Sequence, residues 1–139
     1  MNYLLDTCVI SELVAKRPNP RVIDWIDQTD ETSLYLSVLT IGEIRKGIEK
    51  LPDSERKNAL NLWLREELLV RFKERLLPID VDVMLHWGQL AGMLELEGRA
   101  MSAIDSLLAA TALQGGLTLV TRNEDDFEYT GIPILNLWA

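Results

Sequence analysis

Short apolar runs alternate with amphipathic stretches along the whole chain. Tyr3 to Asp6 reads as a short buried strand, and Thr7 to Ala15 then places Val9, Ile10, Leu13 and Val14 on one helical face. Pro18 and Pro20 break that helix, and Arg21 to Asp27, apolar at Val22, Ile23 and Ile26, predicts a second. Ser33 to Val38 is the next strand, followed by a helix from Thr40 to Lys50 with Ile41, Ile44 and Ile48 aligned. Asp53 to Phe72 predicts one long amphipathic helix, Leu60, Trp63, Leu64 and Leu68 forming its stripe, paired as a hairpin with the helix before it. Leu76 to Ile79 suits only a strand with a proline at its edge. Helical spacing returns from Val81 to Glu97, where Gly98 stops it, and again from Ser102 to Gln114, where Gly115-Gly116 does. Leu117 to Val120 is a buried strand and Ile134-Leu135 a last, short edge strand. Strands alternating with one or two helices predict an α/β three-layer sandwich around a central, mostly parallel sheet of four to five strands.

Length and composition narrow this picture. At 139 residues and 47% hydrophobic, the chain suits one domain over 1–139 with one full core. Met1 runs directly into a strand pattern without a basic leader, and no apolar stretch approaches about 18 residues, so neither export nor a membrane is expected. A lone cysteine, Cys8, cannot form an internal disulfide, which fits a reducing cytoplasm. The net charge of −8 argues against nucleic-acid binding through a broad basic surface. It leaves a nuclease open, because Arg45, Lys46, Lys50, Arg56, Lys57, Arg99 and Arg122 remain to hold a backbone locally. It also suits a basic partner.

The acidic residues carry the chemistry. Asp6, Glu43, Asp105 and the pair Asp125-Asp126 each fall where a strand is expected to give way to a helix, and in an open parallel sheet such junctions share one edge. Each also has an ordinary explanation. Thr40-x-x-Glu43 and Ser102-x-x-Asp105 fit the capping box or its close relative, Asp6 suits a helix cap, and Asp125 and Asp126 suit a solvated turn. The set weighs against caps alone, since two like charges about 4 Å apart at an effective dielectric of about 20 repel by roughly 4 kcal/mol. Mg²⁺ or Mn²⁺ removes that cost, because hard cations take oxygen ligands and keep carboxylates ionised. Without a histidine and cysteine cluster, zinc is disfavoured. A carboxylate crevice with open water positions suits phosphodiester hydrolysis.

Four ordered motifs resemble a known family. Leu4-Leu5-Asp6-Thr7-x-x-x-Ser11-Glu12, Thr40-x-x-Glu43-x-x-x-Gly47, Ile104-Asp105-x-x-x-Ala109-Ala110-Thr111-Ala112 and Leu119-Val120-Thr121-Arg122-Asn123-x-x-Asp126-Phe127 are together similar to the PIN-domain ribonucleases, especially the toxins of VapBC and FitAB type toxin-antitoxin modules. The resemblance covers essentially the whole chain, including Leu77-Pro78-Ile79-Asp80 and Gly131 to Trp138. It implies a PIN-like fold and a Mg²⁺- or Mn²⁺-dependent endoribonuclease acting on RNA. It further implies a toxin that forms homodimers and is held inactive by a small DNA-binding antitoxin. By that resemblance Asp6, Glu43 and Asp105 are metal ligands, and Thr7 and Thr121 steady the site through their hydroxyls. The family's fourth acid commonly lies two positions after the threonine matched by Thr121, where this chain has Asn123. Either the Asn123 carbonyl or Asp126 is left to take that role, and a second metal hangs on the choice.

Arg45 and Arg122 are candidates for substrate phosphate because each lies close in sequence to a proposed site residue. His86, beside Trp87 in a helix, suits a packed or surface position rather than a general base, and the four tryptophans suit a core or dimer face rather than base stacking. Two other functions compete. A catalytically weakened PIN fold would serve as an RNA- or protein-binding subunit, with Asn123 as its support. An aspartate-based magnesium phosphatase or receiver-like domain would also place a strand-end acid beside magnesium, but Asp6-Thr7-Cys8 lacks the second acid of an Asp-x-Asp motif.

Overall fold

The computed structural model describes residues 1–139. Five strands, β1 (Tyr3–Leu5), β2 (Leu34–Ser37), β3 (Leu76–Leu77), β4 (Thr118–Val120) and β5 (Ile134–Leu135), form one sheet in the order β3-β2-β1-β4-β5. Every pairing is parallel, with Tyr3 opposite both Leu34 and Thr118. The chain builds outward from β1 to one edge and then returns to the other side of it. The strand order therefore reverses beside β1, where open parallel sheets place their ligand crevice.

Alternation along the strands sends apolar side chains to both faces. Leu5, Leu34, Leu36 and Val120 join Val9 and Ile10 of α1 (Thr7–Glu12), Val22 and Ile26 of α2 (Pro20–Gln28), and Ile44 and Ile48 of α3 (Val38–Glu49) in one core. Leu4 and Leu119 face the other way, onto Leu90 and Leu94 of α6 (Val81–Leu96) and Leu108, Ala109 and Ala112 of α7 (Ala103–Gly115). The small residues at 109, 110 and 112 are buried and let α7 lie close to the sheet and to α6. Three layers result, as the sequence pattern predicts.

The local differences have identifiable causes. The helix expected to begin at Thr40 begins at Val38, because Ser37 accepts a hydrogen bond from the Leu39 amide and caps it earlier. Thr40 is thus inside the helix, fully buried, and its hydroxyl has no partner. The long helix expected over Asp53 to Phe72 is broken in character: α4 (Glu55–Trp63) passes through a π-helical stretch, Leu64–Leu68, into the single turn α5 (Leu69–Arg71). That widened stretch directs Leu64 and Leu68 into the first core. Gly98 and Gly116, at φ +72° and +60°, end α6 and α7 in the left-handed region that favours glycine. No helix is long and apolar enough to cross a membrane.

Candidate functional site

Asp6 follows β1 directly and caps α1, accepting from the Thr7 amide on Oδ1 at 2.7 Å. Its amide also donates to the Val120 carbonyl, which ties the residue to the end of β4. From beyond β4, Thr121 donates its hydroxyl to Asp6 Oδ2 at 2.8 Å and accepts from the Asn123 amide at 3.1 Å. Both Asp6 oxygens are therefore oriented from the protein side, although the residue is only 7% exposed. Thr7 turns its hydroxyl to Glu43, donating to Oε1 at 2.6 Å. Capping and site geometry coincide at Asp6 rather than exclude each other.

The remaining acids arrive by routes only partly foreseen. Glu43 stands in the second turn of α3, since Ser37 and not Thr40 is the cap. Asp105 sits in the first turn of α7, where its amide donates to the Ser102 hydroxyl at 3.3 Å, so that capping expectation holds. Yet α7 follows α6 through a loop, so Asp105 reaches the crevice from a helix-to-helix connection, not from a strand end. Asp126 lies in the 3₁₀ turn Glu124–Phe127 after β4.

Burial raises the pKa of Asp6, against the lowering from Thr121 and Thr7, and the charges of Glu43 and Asp126 raise it further. Asp105 is likewise raised by burial, and then by Asp126 and Asp6, with Ser102 opposing. Asp126 therefore acts on both Asp6 and Asp105. Asn123 contributes its amide to Thr121, and it shares a depression of about 350 Å³ with Arg122, Asp125, Asp126 and Asn136. No basic residue forms an ion pair with Asp6, Glu43, Asp105 or Asp126. The acids are left uncompensated by the chain itself, and each offers hard oxygen ligands suited to Mg²⁺ or Mn²⁺. No three of them close into a ready-made cage.

Beside a smaller cavity of about 250 Å³ lined by Thr7, Glu43 and Trp63, two larger ones flank the carboxylates. One, about 570 Å³, runs along α3 from Glu43 past Lys46 to Lys50, and is also lined by Ile104. The other, about 460 Å³, contains Asp105, Asp125 and Asp126 together with Arg99, whose guanidinium stacks 3.6 Å over the Tyr129 ring. Arg45, proposed as a phosphate contact, instead pairs with Glu49 at 2.9 Å, one helical turn along its own face. Adjacent helix positions diverge by about 100°, so Lys46 enters the cavity that Arg45 misses. Arg122 lies 5.9 Å from the Trp138 ring and donates its amide to Cys8 Sγ at 3.4 Å. Burial pushes the Cys8 thiol pKa up, so Cys8 behaves as a packing residue.

His86 lines a different cavity with Gln89, Leu90 and Leu113, apart from the acids. Trp25, Trp63 and Trp138 pack against the first core, and Trp87 donates its indole N–H to Ser106 between α6 and α7. None of the tryptophans lines either of the two larger cavities.

Residues 3–132 match the family model described as PIN domain. Among curated proteins, "Toxin FitB" of Neisseria gonorrhoeae is 36% identical over 97% of both chains. "VapC ribonuclease Y4jK" of Sinorhizobium fredii is 35% identical over 97% of this chain and 96% of that protein. Among solved structures, "Structure of FitAB bound to IR36 DNA fragment" superposes with a TM-score of 0.92 at 34% identity, covering 99% of this chain and 96% of the other.

Proposed function

This chain belongs to the PIN domain family, and we propose from that premise that it is a toxin of a toxin-antitoxin pair, acting as a Mg²⁺- or Mn²⁺-dependent endoribonuclease. The observation that carries the reading is the placing of Asp6 and Glu43 about Thr7, with Asp105 and Asp126 together in a cavity and no ion pair to balance any of the four, in a sheet whose strand order reverses beside β1.

In this reading Asp6, Glu43 and Asp105 hold the cation, and Asp126 takes the place of the fourth acid that Asn123 leaves open. A divalent ion held by these residues would supply positive charge beside the scissile phosphate and lower the pKa of a water. The protein's own part is positional. Thr121 and the Thr7 amide hold the Asp6 carboxylate in one orientation, and the Thr7 hydroxyl does the same for Glu43, so the ligands are set before substrate arrives. Asn123 supports Thr121 through its backbone, a role its side chain does not limit. Against the weakened-fold alternative stands Asp126, which shares a cavity with Asp105 and can supply the acid that Asn123 lacks.

The cognate antitoxin is the expected partner, and the chain's net charge of −8 suits a basic segment of it. Exposed Val81, Met84 and Leu85 at the start of α6 give a second copy an apolar face for a homodimer. We take the 139 residues as one PIN-like domain working in the cytoplasm, consistent with the free Cys8.

The test is cleavage of labelled structured RNAs by the purified chain in Mg²⁺ or Mn²⁺, with EDTA and Asp6→Asn as controls. Cleavage abolished by both controls is the expected result. Cleavage that survives both sinks the metal-site reading.

A further inference from the structure

We infer that the groove along α3 is the track for a single RNA strand leaving the carboxylates, with Lys46 and Lys50 as its phosphate contacts; this deepens the ribonuclease reading and rests on it. The groove, about 570 Å³, begins at Glu43, the residue held by Thr7, and extends past Lys46 to Lys50. Positions 43, 46 and 50 share one helix face, and the two lysines stand about 6 Å apart along the axis at 1.5 Å per residue. Ile104, the residue before Asp105, also lines the groove, which brings it next to the start of α7.

Lys46 and Lys50 make no ion pair, as is also true of Lys16, Arg17, Arg65 and Lys73, but of these only Lys46 and Lys50 line the groove. Arg45 pairs with Glu49, Lys57 binds two backbone carbonyls and Asp53, and Arg71 and Arg75 bind Glu31. Neither Lys46 nor Lys50 makes an ion pair, and both are exposed on the groove. A polyanion approaching a crevice of four carboxylates is repelled unless cations are met alongside, and unpaired ammonium groups one turn apart supply them.

The groove floor points the same way. Gly42 and Gly47 lie inside α3, where glycine costs roughly 1 kcal/mol relative to alanine. A Cβ at either would meet nothing within 4 Å, so packing does not require them. Their effect is to deepen the groove beside the two lysines.

The test uses binding, so that it reads separately from cleavage. Affinity of the whole protein for a fluorescent single-stranded RNA, 2′-O-methylated throughout to block cleavage, is followed by anisotropy between about 50 and 200 mM salt at constant Mg²⁺. Each phosphate contact on a single strand contributes about 0.7 to the slope of log K against log salt. Lys46→Ala and Lys50→Ala each lower the slope by about 0.7, and the double variant by about 1.4 with at least a severalfold loss of affinity; the double arginine variant restores both. Lys73→Ala, which precedes the N-terminal end of β3 and lies outside the groove, leaves the slope unchanged. An unchanged slope in the double variant overturns the track whether or not the protein cleaves, and so does a wild-type protein that does not bind. A lowered slope in a protein that cleaves no RNA upholds the track and overturns the ribonuclease reading instead.

Discussion

Thr121 holds Asp6 from 115 positions away, its hydroxyl donating to Oδ2 at 2.8 Å from the strand beside β1. A hydrogen bond to a charged acceptor is worth about 1.5–3 kcal/mol, so its loss is felt both in orientation and in rate. Thr121→Val is expected to slow RNA cleavage by about tenfold to a hundredfold. Thr121→Ser, which keeps the donor, stays within a few fold of wild type. Equal rates for the two variants in a single-turnover assay would remove the hydroxyl from the argument.

The raised Asp6 pKa sets a sign for pH and metal dependence. An acid whose folded pKa lies above its unfolded value penalises the folded state when ionised, so metal-free protein gains stability as pH falls through that folded pKa. Asp6→Asn is expected to raise the Tm of metal-free protein at neutral pH while abolishing cleavage. Mn²⁺ should instead favour the wild type: at about 100 times its Kd it adds about 2.7 kcal/mol, roughly 10 °C, to its stability. Little or no such shift should occur in Asp6→Asn. Thermal melts with and without Mn²⁺ check both directions.

Thr40 offers a prediction about stability alone. Its hydroxyl is buried without a partner, and leaving such a group unsatisfied costs about 1–3 kcal/mol. Thr40→Val keeps the shape and removes the polar atom, so urea unfolding should show a gain of about 1 kcal/mol. A loss would reveal a hydrogen bond that the resting geometry does not contain.

Glu31 gives the opposite pH sign to Asp6. The Arg71 guanidinium holds its carboxyl below the usual range, with burial opposing and Arg75 adding to the effect. Its contribution is fully present above the unfolded carboxyl value and is lost as pH falls through the lowered folded one. Because Glu31 is 43% exposed, solvent screening limits the worth of the cluster to about 1 kcal/mol. Glu31→Gln should cost about that much at pH 7 and nothing in strong acid, as measured by urea unfolding across pH.

The order of the elements and the parallel sheet were legible because buried strands and amphipathic helices leave different periods in the chain. Asp6 and Asp105 were legible as capping residues and as candidate ligands at once. What periodicity could not convey was side-chain direction at short range. Ser37 competes with Thr40 for the same cap, and only the backbone before Val38 decides between them. Arg45 and Lys46 are neighbours in sequence yet face different surroundings, one Glu49 and the other the groove. The choice between Asn123 and Asp126 is equally local, since the 3₁₀ turn after β4 that carries Asp126 begins directly after Asn123. The stacking of Arg99 on Tyr129 joins residues from separate loops, which no local pattern announces.

Because β1 is central and pairs on one side with β4, the first strand made is completed by one of the last. Loop closure over so long a separation comes late in folding. A chain still short of Thr121 has Asp6 without its Oδ2 donor and β1 with an open edge. Translation itself thus delays assembly of the acidic crevice until most of the protein has been synthesised, which separates making this molecule from arming it.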